Sequence, residues 1–155
     1  MQEIKIYPIA INKNNRKSPV DDHWFSIESA IELYEKYPAS CFDGIEQFSR
    51  LEHVYYFHKS DKTIIGSEHT RENTSCPITG IFAQSNKDRP NHIETTMVQL
   101  VKREGRVLHV KNLDAIDDTP VLDIKPVFSE FLPLGEIIQP EWTKNEKLLV
   151  NLLTI

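Results

Sequence analysis

Glycine is scarce in this chain. Its 155 residues hold five, Gly44, Gly66, Gly80, Gly105 and Gly135, and no two lie within ten positions of each other. A dinucleotide-binding turn needs closely spaced glycines so that backbone can approach a pyrophosphate, and a P-loop needs them around its phosphates. Both are excluded. Cysteine is scarcer still: Cys41 and Cys76 stand 35 apart in no Cys-x-x-Cys pair. A chain of this size needs no disulfide framework, so two buried or half-buried free thiols are expected. No apolar run approaches the roughly 20 residues of a bilayer span, and the start Met1-Gln2-Glu3-Ile4-Lys5 does not read as a secretory signal. The expectation is a cytoplasmic protein with no membrane partner. Excess positive charge is also missing. Against 23 Asp and Glu there are 18 Lys and Arg, a net charge of −5. That argues against a general nucleic-acid binder, whose affinity comes from neutralising phosphates. Lys87, Arg89, Lys102, Arg103, Arg106 and Lys111 do fall within 25 residues. They form either one basic face or a solvated rim of strand ends.

What is present is β-rich. Hydrophobic residues make up 39% and charged residues 26% of the chain, ordinary for a globular protein, and the length suits one domain over residues 1–155. Ile4 to Ile11 alternates and is expected to be a first strand, with Pro8 at an edge or bulge. Asn12 to Asp22 reads as a loop of functional length. Trp24 to Tyr37 fits either a helical stripe (Ile27, Ile31, Tyr34) or a strand (Phe25, Ile27, Ser29). Pro38 to Ile45 suggests helical turns ending near Gly44. Leu51 to His58 has a strand composition, Lys59 to Ser75 is a polar loop, and strands are expected at Ile78–Gln84, Ile93–Glu104, Arg106–Leu113 and Val121–Ile124. A hairpin turns at Glu104-Gly105, and Leu148, Leu149, Leu152 and Leu153 predict a C-terminal helix over Lys144–Ile155. About six short strands without strand–helix alternation favour an antiparallel or mixed barrel.

Candidate sites are few. His53 and His58 flank one strand with odd separation, so they face opposite ways and cannot share a metal without a bulge; no metal is expected. His58 at a strand end is either a pocket residue or a satisfied core-edge histidine. No nucleophile elbow or Cys–His neighbour supports covalent catalysis. Asp114-Ala115-Ile116-Asp117-Asp118-Thr119-Pro120 has the wrong acid spacing for an EF-hand loop. It is an Asx or type I turn feeding a strand, and the same geometry can present amides and carboxylates to a ligand. In Arg89-Pro90-Asn91 the proline stiffens the loop and presents a guanidinium suited to carboxylate or phosphate.

Longer blocks carry a resemblance. Gly80-Ile81-Phe82-Ala83, Arg89-Pro90-Asn91-x-Ile93 and Leu113-Asp114-x-Ile116-Asp117-Asp118-Thr119-Pro120-Val121-Leu122-Asp123-Ile124-Lys125-Pro126 resemble the TsaA-like (TrmO-type) S-adenosylmethionine-dependent tRNA methyltransferases. So do Gly44-Ile45-Glu46-x-Phe48-Ser49 and Phe57-His58. The resemblance implies a small, closed, single-sheet β-barrel with a few short helices, a homodimer, and S-adenosyl-L-methionine as cofactor. The implied activity is N6-methylation of a modified adenosine next to the tRNA anticodon. Family cofactor positions fall on His58, Lys59, Ser85, Thr95, Asp117, Asp118, Thr119 and Pro120. Arg89 and Asn91 would orient substrate, and Asp123 and Lys125 would fix the site or accept the amine proton. Ser85, Glu94 and Asp118 stand where the family has Arg, Gly and Gly, and the family's N-terminal Pro-Gly-Leu loop has no clear match. Two alternatives therefore stand beside the tRNA reading: a catalytically altered S-adenosylmethionine-binding module, and a small-molecule methyltransferase.

Overall fold

The computed structural model describes residues 2–19 and 24–145. In chain order its strands are β1 (Ala10–Lys13), β2 (Glu28–Leu33), β3 (Arg50–Tyr56), β4 (Ser67–His69), β5 (Ile78–Gly80), β6 (Ile93–Glu104), β7 (Val107–Lys111) and β8 (Pro120–Pro126). Short 3₁₀ turns connect them. Two compact units result: Met1–His58 with Glu94–Leu132, and Lys59–Ile93 with Pro133–Ile155.

The first unit is a closed barrel in the order β1-β2-β7-β6-β3-β8, with β8 pairing back on β1. Period-two burial builds it. Ala10 and Asn12 of β1, Ser29, Ile31 and Leu33 of β2, and Leu51, His53 and Tyr55 of β3 all point inward. Val98, Leu108, Val110 and Val121 complete the core. Burying side chains of this size stabilises by roughly 1.5–3 kcal/mol each. Two irregularities re-aim side chains. The β6–β7 register shifts between Leu100 and Lys102, and the β3–β8 register shifts so that Val54 faces Asp123 while Tyr55 faces Val121. Leu122 is thus an extra residue on β8, a bulge that turns Asp123 and Lys125 to the outer wall.

The second unit is a two-stranded ribbon, β4 with β5, and a loop locked by its own side chains. Gln84 Nε2 donates to the carbonyls of Thr79 (2.8 Å) and Glu68 (3.1 Å), and Asp88 accepts from Ser60 Oγ (2.6 Å) and Lys87 Nζ (2.8 Å).

Several expectations need correction. The first strand is Ala10–Lys13 rather than Ile4–Ile11; Ile4, Ile6 and Tyr7 are exposed, and Pro8 has no N–H to give a ladder. The ambiguous segment resolves to a strand at Glu28–Leu33 after a 3₁₀ turn at Trp24–Ser26. The polar stretch Lys59–Ser75 holds β4 and a 3₁₀ turn, Thr70–Glu72. The strand expected over Ile78–Gln84 stops at Gly80 and continues as a 3₁₀ turn, Ile81–Ala83. Both cysteines are free, but Cys41 is exposed on the Ala39–Phe42 turn rather than buried or half-buried, while Cys76 is buried. The predicted C-terminal helix lies outside the described residues from position 146 onward; Lys144 belongs to a 3₁₀ turn, Glu141–Asn145. β6 matches its expected span, and the hairpin after it turns on Gly105 at φ +59. Among the described residues no helix is long and apolar enough to cross a membrane, and no group of three or more His, Cys, Asp or Glu could hold a metal.

Candidate functional site

The loop leaving β1 and the chain approaching β8 lie against each other. Inward-facing Asn12 donates from Nδ2 to the Ile116 carbonyl at 2.7 Å, and its own carbonyl accepts the Asp118 N–H at 2.9 Å. Asn14 Nδ2 donates to Ala115 O (2.9 Å) and Ser29 Oγ (3.0 Å). The Asp117 N–H donates to Arg16 O at 2.6 Å, and Asn12 N–H to Thr119 O at 2.9 Å. Small amide and hydroxyl side chains suit this stitching, because they reach neighbouring backbone without leaving buried donors unpaired.

The acidic segment is a four-residue turn, Ile116–Thr119, closed by Thr119 N–H on Ile116 O at 3.3 Å. Its third residue, Asp118, sits at φ +63, where a type II turn takes glycine or asparagine. Of the two turns expected here, Asx or type I, the positive φ excludes type I. Each carboxylate of the segment meets a cation: Asp114 with Arg16 Nη1 (3.3 Å), Asp117 with Lys17, and Asp118 with Lys13. Asp117 is the most enclosed of the three. Lys17 and the Asn14 N–H hold its carboxyl below the usual carboxylate range.

Tyr55 ties this segment to the start of β6. Fully buried on the inner face of β3, its hydroxyl donates to Asp114 O (2.8 Å) and contacts Thr96 Oγ1 (2.9 Å). Burial pushes the phenol pKa up, so it stays a neutral donor. His53, two residues earlier, is also fully buried, and neither ring nitrogen meets a partner among the described residues. Burial lowers its pKa to about 3.

In the barrel unit the sequence-predicted residues distribute as follows. Asp117 and Thr119 are buried in the turn, Asp118 is exposed and Pro120 opens β8. Half-buried His58 lies two residues past β3, in a turn, and exposed Thr95 lies near the start of β6. Tyr55 is therefore the hub between the strand that leads to His58, the strand that carries Thr95, and the acidic turn. Asp123 and Lys125 face outward from β8. Asp123 Oδ1 accepts its own following amide, Ile124 N–H, at 2.9 Å, and Lys125 lines an open, mostly apolar groove of about 410 Å³ with Glu52, Met97, Phe128 and Phe131. In the second unit Lys59, Ser85 and Asn91 are exposed, while half-buried Arg89 donates to the Gln84 carbonyl at 3.2 Å.

Of the six cations read from the sequence as either one basic face or a solvated rim of strand ends, the four in the barrel unit are each engaged by nearby acids or carbonyls. Arg103 Nη1 and Nη2 donate to the carbonyls of Phe42 and Ala39, each at 2.9 Å. Arg106 donates to the carbonyls of Leu33 and Tyr34, Lys102 pairs with Glu104, and Lys111 pairs with Glu28. In the barrel unit these cations are bound up in structure. The sequence marks Asn12–Asp22 as a loop of functional length but does not pick out Asn12, Asn14, Arg16 or Lys17 within it, nor Tyr55 on β3. The available signal was a run of amide and basic side chains in a loop directly after a strand.

Two of the three departures from the family pattern are absorbed locally. Asp118 adopts the left-handed backbone that glycine would, and Glu94 turns its carboxylate back to the Thr95 N–H at 2.9 Å.

Comparison with known proteins agrees with this architecture. A probable S-adenosyl-L-methionine-binding protein of Pyrococcus abyssi is 35% identical over 106 residues, covering 68% of this chain and 55% of that protein. The human tRNA (adenine(37)-N6)-methyltransferase is 32% identical over 103 residues, covering 66% of this chain and 23% of the enzyme. The crystal structure of TrmO from Pseudomonas aeruginosa superposes with a TM-score of 0.75 at 22% identity, over 92% of this chain and 62% of that one, a likeness of fold. The chain thus spans less than two thirds of each of these proteins. The profile of the tRNA-methyltransferase O N-terminal domain matches residues 11–131, and the chain belongs to that family.

Proposed function

We propose that the barrel binds S-adenosyl-L-methionine at the rim formed by the Asp117–Pro120 turn, His58 and Thr95, and methylates N6 of a modified adenosine next to the tRNA anticodon. One observation carries the reading: the Tyr55 hydroxyl bonds Asp114 O, in the run into the turn, and Thr96 Oγ1, next to Thr95, so one inner-wall side chain joins the strand that leads to His58, the strand that carries Thr95 and the approach to the turn. The names of the Pyrococcus and human relatives support the donor and the acceptor. The donor set fits the group. An amino-acid zwitterion with a sulfonium needs cations and carboxylates side by side, and the rim keeps partly exposed carboxylates on Asp114 and Asp118, each beside a cation, Arg16 or Lys13.

Bound there, the donor supplies an activated methyl group, and what this chain adds is position. Transfer between two held partners needs alignment more than covalent help. His58 offers one ring donor or acceptor, and Thr119, buried under the turn, keeps the backbone in place. Lys59 and Ser85 belong to the cofactor reading, and Arg89 and Asn91 to the substrate. Arg89 is stiffened by Pro90 and by its bond to Gln84 O. Asp123 and Lys125, on the outer wall, enter as the groups that fix the site or accept the amine proton.

Titration calorimetry with S-adenosyl-L-methionine tests the first step, and absence of heat at millimolar ligand ends the reading. Mass spectrometry of nucleosides from tRNA incubated with protein and donor tests the second. Ser85 in place of the family arginine favours a second reading, a binding module without transfer; binding with no new methyladenosine selects it. A tRNA gel shift at low salt separates both from a small-molecule methyltransferase. The homodimer and a cytoplasmic setting complete the proposal; sedimentation checks the first and fractionation of cells the second.

A further inference from the structure

The Asp117 carboxylate is spent on the chain itself. Oδ1 accepts the Asn14 N–H at 3.0 Å, Oδ2 takes the Lys17 ammonium, and the Asp117 N–H donates to Arg16 O at 2.6 Å. The side chain is nearly enclosed, 11% exposed, whereas Lys17 is 71% exposed. A carboxylate already holding a backbone donor and a cation has little left to offer a ligand. Meanwhile every residue from Asp114 to Asp118 is held from the other side by Asn12, Asn14, Arg16, Lys13 or Lys17.

We propose that Lys17 and Asp117 are positioning residues, a latch by which the loop after β1 fixes the Ile116–Thr119 turn in its ligand-ready shape. This deepens the proposed function and rests on that reading. It makes the Asn14–Lys17 loop part of the site and removes Asp117 from the groups that touch the donor. The left-handed backbone at Asp118 gives the latch a task, since a non-glycine residue held at positive φ relaxes when its surroundings no longer impose it.

Four variants decide it, each titrated with S-adenosyl-L-methionine. Lys17→Met and Asp117→Asn each weaken binding about 3- to 10-fold, the scale of one partly exposed charge-assisted bond. The double variant is no weaker than the worse single one, because both remove the same contact. Lys17→Arg restores binding, and thermal unfolding midpoints stay within a few degrees. A direct contact from Asp117 to the donor gives a different pattern: Asp117→Asn then costs far more than Lys17→Met, and the losses add. That result overturns the inference, as does unchanged binding in Lys17→Met. If the wild-type protein takes up no donor, the functional reading fails, and the latch is judged by hydrogen exchange instead. The Asp117 and Asp118 amides should exchange at least several-fold faster in Lys17→Met, and equal rates overturn it.

Discussion

The Tyr55 hydroxyl donates to the Asp114 carbonyl at 2.8 Å from inside the barrel. One phenol on β3 thereby sets where the acidic segment enters its turn. Tyr55→Phe keeps the ring and its edge contact with Phe57 but leaves Asp114 O and Thr96 Oγ1 without that partner. The expected cost is about 1–3 kcal/mol, measured by urea unfolding, with donor affinity falling as well.

Arg103 anchors the Ala39–Phe42 turn through two carbonyls and meets Asp43 at 3.0 Å. Its planar fork matches that set, and an ammonium cannot. Arg103→Lys is expected to cost about 1.5–3 kcal/mol, nearly as much as Arg103→Met. Denaturant midpoints of the two variants check this.

His53 makes the fold sensitive to acid. Its folded-state pKa, about 3, lies below the ordinary 6.5. Between those values the unfolded chain binds a proton that the folded chain refuses, so stability falls as pH drops from about 6.5 toward 3. The total is several kcal/mol by linkage. His53→Leu is expected to flatten that slope and raise stability near pH 5, since a buried polar ring without a partner is costly. Unfolding free energies at pH 7, 5 and 4 provide the comparison.

Asp118 at φ +63 gives an order of tolerance. Asp118→Gly is expected to stay within about 0.5 kcal/mol of wild type, because relief of the left-handed backbone offsets the lost exposed pair with Lys13. Asp118→Val is expected to cost about 2 kcal/mol, since a β-branched side chain resists that conformation. Thermal unfolding of the pair settles the order.

The barrel was legible in the sequence because its strands alternate: Leu51, His53 and Tyr55 inward, and β6 running its full expected span. The acidic turn was legible because Asp and Thr before Pro120 leave the backbone few other shapes. Two kinds of feature were not. The bulge at Leu122 flips Asp123 outward, and no local composition announces one extra residue in a ladder. The pairing of Asn12–Lys17 with Asp114–Asp118 spans about a hundred positions, so only the closed sheet brings the two together. The sequence left Lys102, Arg103, Arg106 and Lys111 open between a basic face and a solvated rim for a related reason: the carbonyls that hold Arg103 and Arg106 lie about 60 to 70 positions away and are brought near only by the closed sheet.

The cylinder is completed by a short seam. β8 meets β1 in register only at Ala10 with Val121 and Ile11 with Pro120, and the proline lends no amide to the ladder. A closure with so few register pairs is expected to open at low free energy when the molecule breathes. The acidic turn enters β8 at that same seam. Anything that grips the turn also bolts the wall, so occupancy of the rim should be felt by the whole cylinder as resistance to opening and to protease.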